Sequence, residues 1–358
     1  MTLQTLDLKS RTLRRPRWPR HAIKSAGVTL LAVVLLIAFL TPLVYMLFTS
    51  LKTKEQMSQL GTPLWPADAP TFTYNGVEYD VYSVPTDQGT RDLALVKKGL
   101  TESTFIDPAN PQAGQIKWQG SWRSLDRSAW TFAPHWENFV NAWNQINFPR
   151  MFGNTLFYAI ATEIGVLISC TLVAYGFARF RFPGRDFLFL VLIATIFLPA
   201  TVTIIPTYTF FSKIGWVGTW LPLIVPAFFA NAFDVFFLRQ FFMTIPRELD
   251  EAAMIDGAGP LKILTSIILP QAIPALIALS VFHIVWAWND FFGPLIYLTN
   301  KPELLPLSVG LQKFNSIHST NPSLTQATSL LTLAVPLILF LFAQRFFVRG
   351  MVITGVEK

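Results

Sequence analysis

Three acidic side chains stand inside apolar runs: Glu163, Asp234 and Asp290. A charged group at the bilayer centre costs about 2.5–3.5 kcal/mol on insertion scales, so each has to face protein or water. For Asp290, beside Trp288 and Asn289, two roles are open: lining a solute pathway together with Asn289, or helix–helix hydrogen bonding and a place near the outer interface. For Glu163, Asp234 and His283 a structural role within a helical bundle is the simpler reading. Catalytic signatures are missing from the chain. No Gly-Lys dipeptide occurs, hence no Walker A phosphate loop, and there is no His-Glu-x-x-His, Gly-x-Ser-x-Gly or Gly-x-Gly-x-x-Gly. The four histidines are scattered and the single cysteine, Cys170, lies in an apolar run, so neither a metal site nor a disulfide framework is expected.

A second group of chemically capable residues lies between apolar runs, from Thr244 to Pro270. It reads as two short helices. Pro246 suits a first helical turn, Glu248 and Asp250 suit the positive end of the helix dipole, and Gly257 falls where a left-handed stop belongs. Pro260 then starts a second helix, which Pro270 is expected to end at the membrane. Leu249, Ala252, Ala253 and Asp256 follow i, i+3, i+4, i+7 and make a narrow face of small side chains that lets another surface approach closely.

The elements that must position these residues follow from composition. Of 358 residues, 52% are apolar and only 14% charged, with mean hydropathy +0.44. Soluble domains carry roughly 25% charged residues, so a water-soluble globule is excluded. Six stretches reach the roughly 20 apolar residues that span a hydrocarbon core: 26–50, 153–178, 187–211, 219–243, 271–298 and 326–347. The first runs too long for a signal peptide and no small-residue cleavage site follows it, so it is expected to remain as an anchor. The net charge of +7 suggests topology and not nucleic acid, because seven of the 28 basic residues fall between Lys9 and Lys24. Basic residues resist export, so these, with Arg179, Arg181 and Arg185 after the second span and Arg345 and Arg349 at the end, place both termini and the 244–270 loop in the cytoplasm.

Residues 51–150 are then outside. With nine basic and ten acidic residues they form a folded insertion. Phe72-Thr73-Tyr74 and Val77-Glu78-Tyr79 alternate about Asn75-Gly76, a pair that tolerates positive φ and suits a two-residue hairpin, so a small β-rich cap is expected. Its tryptophans, Trp65, Trp118, Trp122, Trp130, Trp136 and Trp143, serve most simply as its own core or as an interfacial belt, the alternative being a sugar-stacking platform.

The loop sequence resembles that of a family, the inner-membrane permease subunits of binding-protein-dependent ABC importers. Their signature is Glu-Ala-Ala, three residues, Gly, nine residues, Ile, one residue, Leu-Pro. Glu251-Ala252-Ala253, Gly257, Ile267 and Leu269-Pro270 match every position and both spacings. The resemblance implies a coupling helix that docks in a cleft of a separate ATPase, with Glu248, Glu251, Ala252, Ala253, Asp256, Gly257, Ile267, Leu269 and Pro270 as the coupling residues. Glu251 would pair with a basic group, Ala252 and Ala253 permit close contact, and Gly257 makes the turn. Further stretches look like the carbohydrate branch and its second, maltose-type subunit: Glu137-Asn138-Phe139, Gly153-Asn154-Thr155-Leu156, Ala174 to Phe180, Gly215 to Trp220, Trp288-Asn289-Asp290 and Gln344 to Gly350. The insertion, roughly residues 55–133, departs from that pattern.

The expectation is therefore an all-α membrane protein of six transmembrane helices with a small β-rich extracytoplasmic insertion between the first and second. Residues 1–25 form a basic cytoplasmic N-terminus, 26–50 the first span, 51–150 the insertion, 151–348 a five-helix core holding the loop 244–270, and 349–358 a cytoplasmic tail. Its function would be that of a permease subunit, not an enzyme, in ATP-driven import of a sugar, oligosaccharide or polyol. Partners would be a second homologous permease, two ATPase subunits that bind ATP and Mg, and an extracytoplasmic substrate-binding protein, with no cofactor or metal in this chain. The rivals are an importer for another solute and an ion-coupled secondary transporter; the latter has no use for a coupling loop.

Overall fold

The computed structural model describes residues 20–59, 61–86, 89–127, 130–316 and 319–353. Lys9 to Arg17 of the expected basic N-terminus, His318 and the last five residues of the expected tail lie outside them. The chain divides into two compact units, Met1–Leu47 and Phe48–Lys358.

The first unit holds most of the helix Arg20–Ser50. Its segment Ser25–Ser50 is long and apolar enough to cross a membrane, and every residue from Ser25 to Tyr45 is exposed. A helix apolar on every side needs lipid as its solvent. Pro42 removes one rung of its ladder, and the Thr41 hydroxyl donates to the Ile37 carbonyl at 2.8 Å nearby.

In the second unit the β-rich part comes first. Five antiparallel strands form a sheet in chain order: β2 (Thr71–Tyr74), β3 (Val77–Thr86), β4 (Gly89–Lys97), β5 (Glu102–Ile106) and β6 (Gln115–Gln119). The β2–β3 hairpin turns on Asn75 and Gly76 with φ of 52° and 79°, the conformation that pair was expected to supply. One face buries Tyr82, Val84, Leu93, Leu95 and Phe105, and Trp118 and Trp122 pack against them. Those two rings meet Phe105 and Tyr82 edge-on at 6.3 Å, whereas Trp65 and Trp136 stay exposed. The short strands β1 (Ala67–Asp68) and β7 (Thr131–Phe132) pair with each other and draw the two ends of this part together.

His135 ties that closure to the helix Glu137–Gln145. Its Nε2 lies 2.9 Å from both Asp68 carboxylate oxygens and its Nδ1 2.5 Å from Glu137 Oε1. Burial disfavours the charged ring, but the hydrogen bonds to Glu137 and Asp68 outweigh it and raise the His135 pKa. A raised folded-state pKa means stabilisation that is complete below the unfolded value of about 6.5 and lost as pH climbs through the folded one. Amide exchange over residues 133–140 is therefore expected to quicken from pH 6 to pH 9 beyond the intrinsic rate. His135→Gln should remove that excess.

Among the described residues five helices are long and apolar enough to span: Ser25–Ser50, Phe148–Arg179, Leu221–Thr244, Pro260–Asn289 and Pro322–Gln344. A sixth is reached only if the bent pair Arg185–Phe197 and Thr201–Lys213 is one span. The expected span 187–211 falls on two helices that meet at 99°. Pro199 has no N–H to give, and Leu198 before it is extended (φ −78°, ψ 113°). The expected span 271–298 is redrawn. It begins at Pro260 and ends at Asn289, and Phe292–Leu298 is a separate short helix. Pro270 does not end a helix there. The chain runs through it from a wide π-type turn over Leu264–Ile268 into Leu269–Asn289, and such a turn accommodates a proline that a regular ladder rejects.

Phe148–Arg179 is the organising helix. Its buried face carries small or short side chains, among them Thr155, Ala159, Gly165, Ser169, Cys170, Ala174 and Ala178. Small residues let helices approach within lipid, where no water is left to expel. At Gly165 a Cβ would come within 2.8 Å of the Phe228 ring and 3.0 Å of the Ala227 backbone.

Candidate functional site

The 244–270 loop is a short helix, Arg247–Ile255, held on a rigid mount. Pro246 stands one position ahead of the helix and not inside its first turn, while Glu248 and Asp250 occupy that turn as expected. Gly257 stops the helix with φ 82°. Its N–H bonds the Met254 carbonyl at 3.0 Å, and the Ala258 N–H bonds the Ala253 carbonyl at 2.9 Å, the paired closure of a Schellman stop.

The mount is supplied by the end of the Phe148–Arg179 helix. Arg179 Nε lies 3.0 Å from Asp250 Oδ2, with both side chains more than nine-tenths buried. The same guanidinium donates through Nη2 to the Ile245 carbonyl at 2.9 Å, and the Tyr175 hydroxyl donates to the Pro260 carbonyl at 3.2 Å. Burial pushes the Asp250 carboxyl above its ordinary value, and Arg179 and Arg247 pull it back down. Sequence reasoning assigned Asp250 to the helix dipole and Arg179 to the basic flank, and missed their pairing.

The expected coupling residues divide into two groups. Ala253 is buried in the core built on Val166, Cys170, Leu238 and Ile268, and Ile267 and Leu269 pack against the same core. The expected face of Leu249, Ala252, Ala253 and Asp256 is therefore split: Ala253 lets the chain approach itself, and the other three point outward. Glu248, Glu251, Ala252, Asp256, Gly257 and Pro270 are exposed. Beside them stand Met254, Ile255 and Leu261, exposed by 58%, 87% and 68%, which sequence reasoning did not single out. Apolar side chains this exposed beside acidic ones, outside the apolar spans, form a surface that fits a protein partner.

The polar residues of the spans separate likewise. The Tyr158 hydroxyl donates to Asp290 Oδ2 at 2.8 Å, the Gly293 N–H to Oδ1 at 3.2 Å, and the Ser308 hydroxyl to the Asp290 carbonyl. Asn289 Nδ2 bonds the Val285 carbonyl at 2.7 Å. This geometry matches the helix–helix alternative for Asp290. A cavity of about 630 Å³ lies elsewhere, lined by Thr162, Asn231, Asp234, His283 and Trp286 among others, and neither Asn289 nor Asp290 reaches it.

A broken, proline-rich set of apolar helices with an anchored loop helix and a mostly apolar cavity holding a few polar groups fits a membrane transport component. The chain belongs to the binding-protein-dependent transport system inner membrane component family, whose model matches residues 143–352. It is a multi-pass membrane protein and a transport subunit, not an enzyme. A probable ABC transporter permease protein of Pyrococcus horikoshii is 34% identical over 225 residues, 62% of this chain and 81% of the relative. An sn-glycerol-3-phosphate transport system permease of Brucella suis is 34% identical over 211 residues (58% and 74%), and an arabinooligosaccharides transport system permease of Halalkalibacterium halodurans 31% over 222 (62% and 79%). A solved bacterial ABC transporter involved in import of the acidic polysaccharide alginate shares the fold, with TM-score 0.64 and 18% identity over 93% of this chain and 100% of that one. Coverage that high takes in most of the β-rich part as well as the helices.

Proposed function

We propose that this chain is one of two permease subunits of an ATP-driven importer for a sugar, oligosaccharide or polyol. The relative named for arabinooligosaccharides supports that cargo class, whereas the one named for sn-glycerol 3-phosphate, a phosphorylated polyol, stands with the rival solutes. In this reading the loop 244–270 and both termini face the cytoplasm, and an ATPase, which alone binds ATP and Mg, docks on Arg247–Ile255. Glu248, Glu251, Ala252, Asp256 and Gly257 form the docking face, the exposed Pro270 lies beyond it, and Ala253, Ile267 and Leu269 fix the helix to the spans. The β-rich part faces outward and receives a substrate-binding protein.

One observation carries the reading: a helix only nine residues long is pinned by a buried ion pair to the end of a 32-residue span helix, while its other face is left bare. A docked ATPase that shifts this helix moves the span with it, which turns nucleotide-driven closure into a change of access. The test is co-purification. Ile255→Asp puts a charge where an apolar contact is expected, and it should cut the recovered ATPase at least tenfold while the chain stays in the membrane at wild-type level. Undiminished recovery would remove the proposal.

A further inference from the structure

We propose that the cavity beside Asp234 is a solute site for neutral polyhydroxylated molecules and that its own charge excludes anions. The inference deepens the reading above and rests on it, since the solute must pass through this subunit.

The cavity is built where a span breaks. In Leu221–Thr244 the helix tightens over Val225–Phe228, and Ala230 takes φ 32°. It restarts at Ala232 with Asn231 as its cap. Backbone groups freed by a break inside a membrane need new partners. Ser169 of the organising helix supplies them, donating to the Ala227 carbonyl at 3.0 Å and accepting from the Ala230 N–H at 3.1 Å. Gly165 lets the broken segment come that close. Discontinuous helices are how transporters expose backbone polarity to cargo in mid-membrane.

A restarted helix with its N-terminus at a cavity would ordinarily welcome an anion. Here that place is taken. The Asp234 N–H donates to Asn231 Oδ1 at 2.9 Å, and Asn231 Nδ2 donates to the Asp234 carboxylate at 2.5 Å, so a carboxylate already sits in the first turn. Among the described residues no lysine or arginine lines the cavity to offset it. Most of the remaining lining is apolar, Val166, Leu223, Phe233 and Phe282 among it, and a few polar groups stand within it for hydroxyls. Asp234 accepts, and the His283 ring, whose Nε2 lies 3.0 Å from a Thr162 hydroxyl that donates to the Tyr158 carbonyl, adds a second polar group. Trp286, 59% exposed, provides a flat ring for the C–H face of a sugar. The volume lies within the roughly 300–1,000 Å³ usual for small-molecule sites. sn-Glycerol 3-phosphate or an acidic polysaccharide, the cargoes named for two of the similar proteins, meets the Asp234 carboxylate and no lysine or arginine in the lining.

The test uses the whole importer in lipid nanodiscs and saturation-transfer NMR, which reads millimolar binding. The probes are arabinotriose and trehalose as neutral solutes, and sn-glycerol 3-phosphate and a mannuronate trisaccharide as anions. The neutral probes should give saturation transfer and the anions none above background. Trp286→Ala should cut the neutral signal at least fivefold, Trp286→Phe should keep at least half of it, and Asp234→Asn should admit the anions. No neutral signal, anion signal equal to neutral, or a signal untouched by Trp286→Ala overturns the proposal. ATPase recovery in the same preparations reports the coupling reading separately, so a failure of either is told apart from a failure of the other.

Discussion

Arg179→Ala is expected to lower uptake at least tenfold while the chain still inserts, because it removes the mount of the loop helix and touches nothing on its bare face. The substitution strands the Asp250 carboxylate, whose side chain is 8% exposed, and deletes the hydrogen bond to the Ile245 carbonyl. Removing one partner of a buried pair typically costs about 3–5 kcal/mol, far more than the pair itself contributes over a well-packed apolar replacement. Amide exchange over residues 246–258 should therefore rise strongly in the single variant. In Arg179→Met with Asp250→Leu most of the protection should return, since no charge is then left unpaired. Lysine should not substitute for Arg179, because one ammonium cannot reach Asp250 and the Ile245 carbonyl with the geometry of a planar fork. Equal exchange in the single and double variants would show that the pair holds nothing in place.

That pair also marks the limit of what the sequence discloses. Gly257 was legible because its constraint is local: a left-handed residue must close a nine-residue helix, and glycine is the residue that adopts it without cost. Asn75-Gly76 was legible for the same reason. Arg179 and Asp250 lie on different helices, and each had a sufficient local explanation, so nothing in the spacing asked for a partner. Ala253 looked like part of a docking face because periodicity shows which residues share a side of a helix but not which side meets the chain itself. Pro270 looked like a terminator because the rule it broke assumes a regular ladder, and a π-type turn is not visible in composition. The bend in the third apolar run was not visible because hydropathy ignores direction, whereas Pro199 turns the chain. The cavity was hidden for a further reason. Asp234 and His283 come from two different helices, and only the break at Phe229–Asn231 places both on one hollow.

Glu251→Lys is expected to abolish most uptake, with a loss of at least about thirtyfold in ATPase affinity, and the structure says why the effect should lie across an interface. Glu251 is exposed and, among the described residues, has no hydrogen-bond or ion-pair partner, so reversing its charge costs the chain itself little. A thirtyfold loss is about 2 kcal/mol, within what truncating or opposing one member of a desolvated interfacial pair commonly costs. Glu248→Lys, on the same docking face, should weaken docking as well. It is equally exposed, in the first turn of the same helix, where a positive charge opposes the dipole by only about 0.3–1 kcal/mol. If Glu251 meets a basic group on the ATPase, raising the ionic strength should weaken wild-type docking more than docking by the Glu251→Gln variant, because screening acts only where a charge pair exists. A basic-to-acidic replacement in the ATPase cleft should then restore docking to Glu251→Lys and impair it for wild type, an exchange of preference that no change in the stability of the loop can imitate. Wild-type uptake by Glu251→Lys would place the coupling contact elsewhere on the helix, with the exposed Met254 and Ile255 as the next side chains to replace.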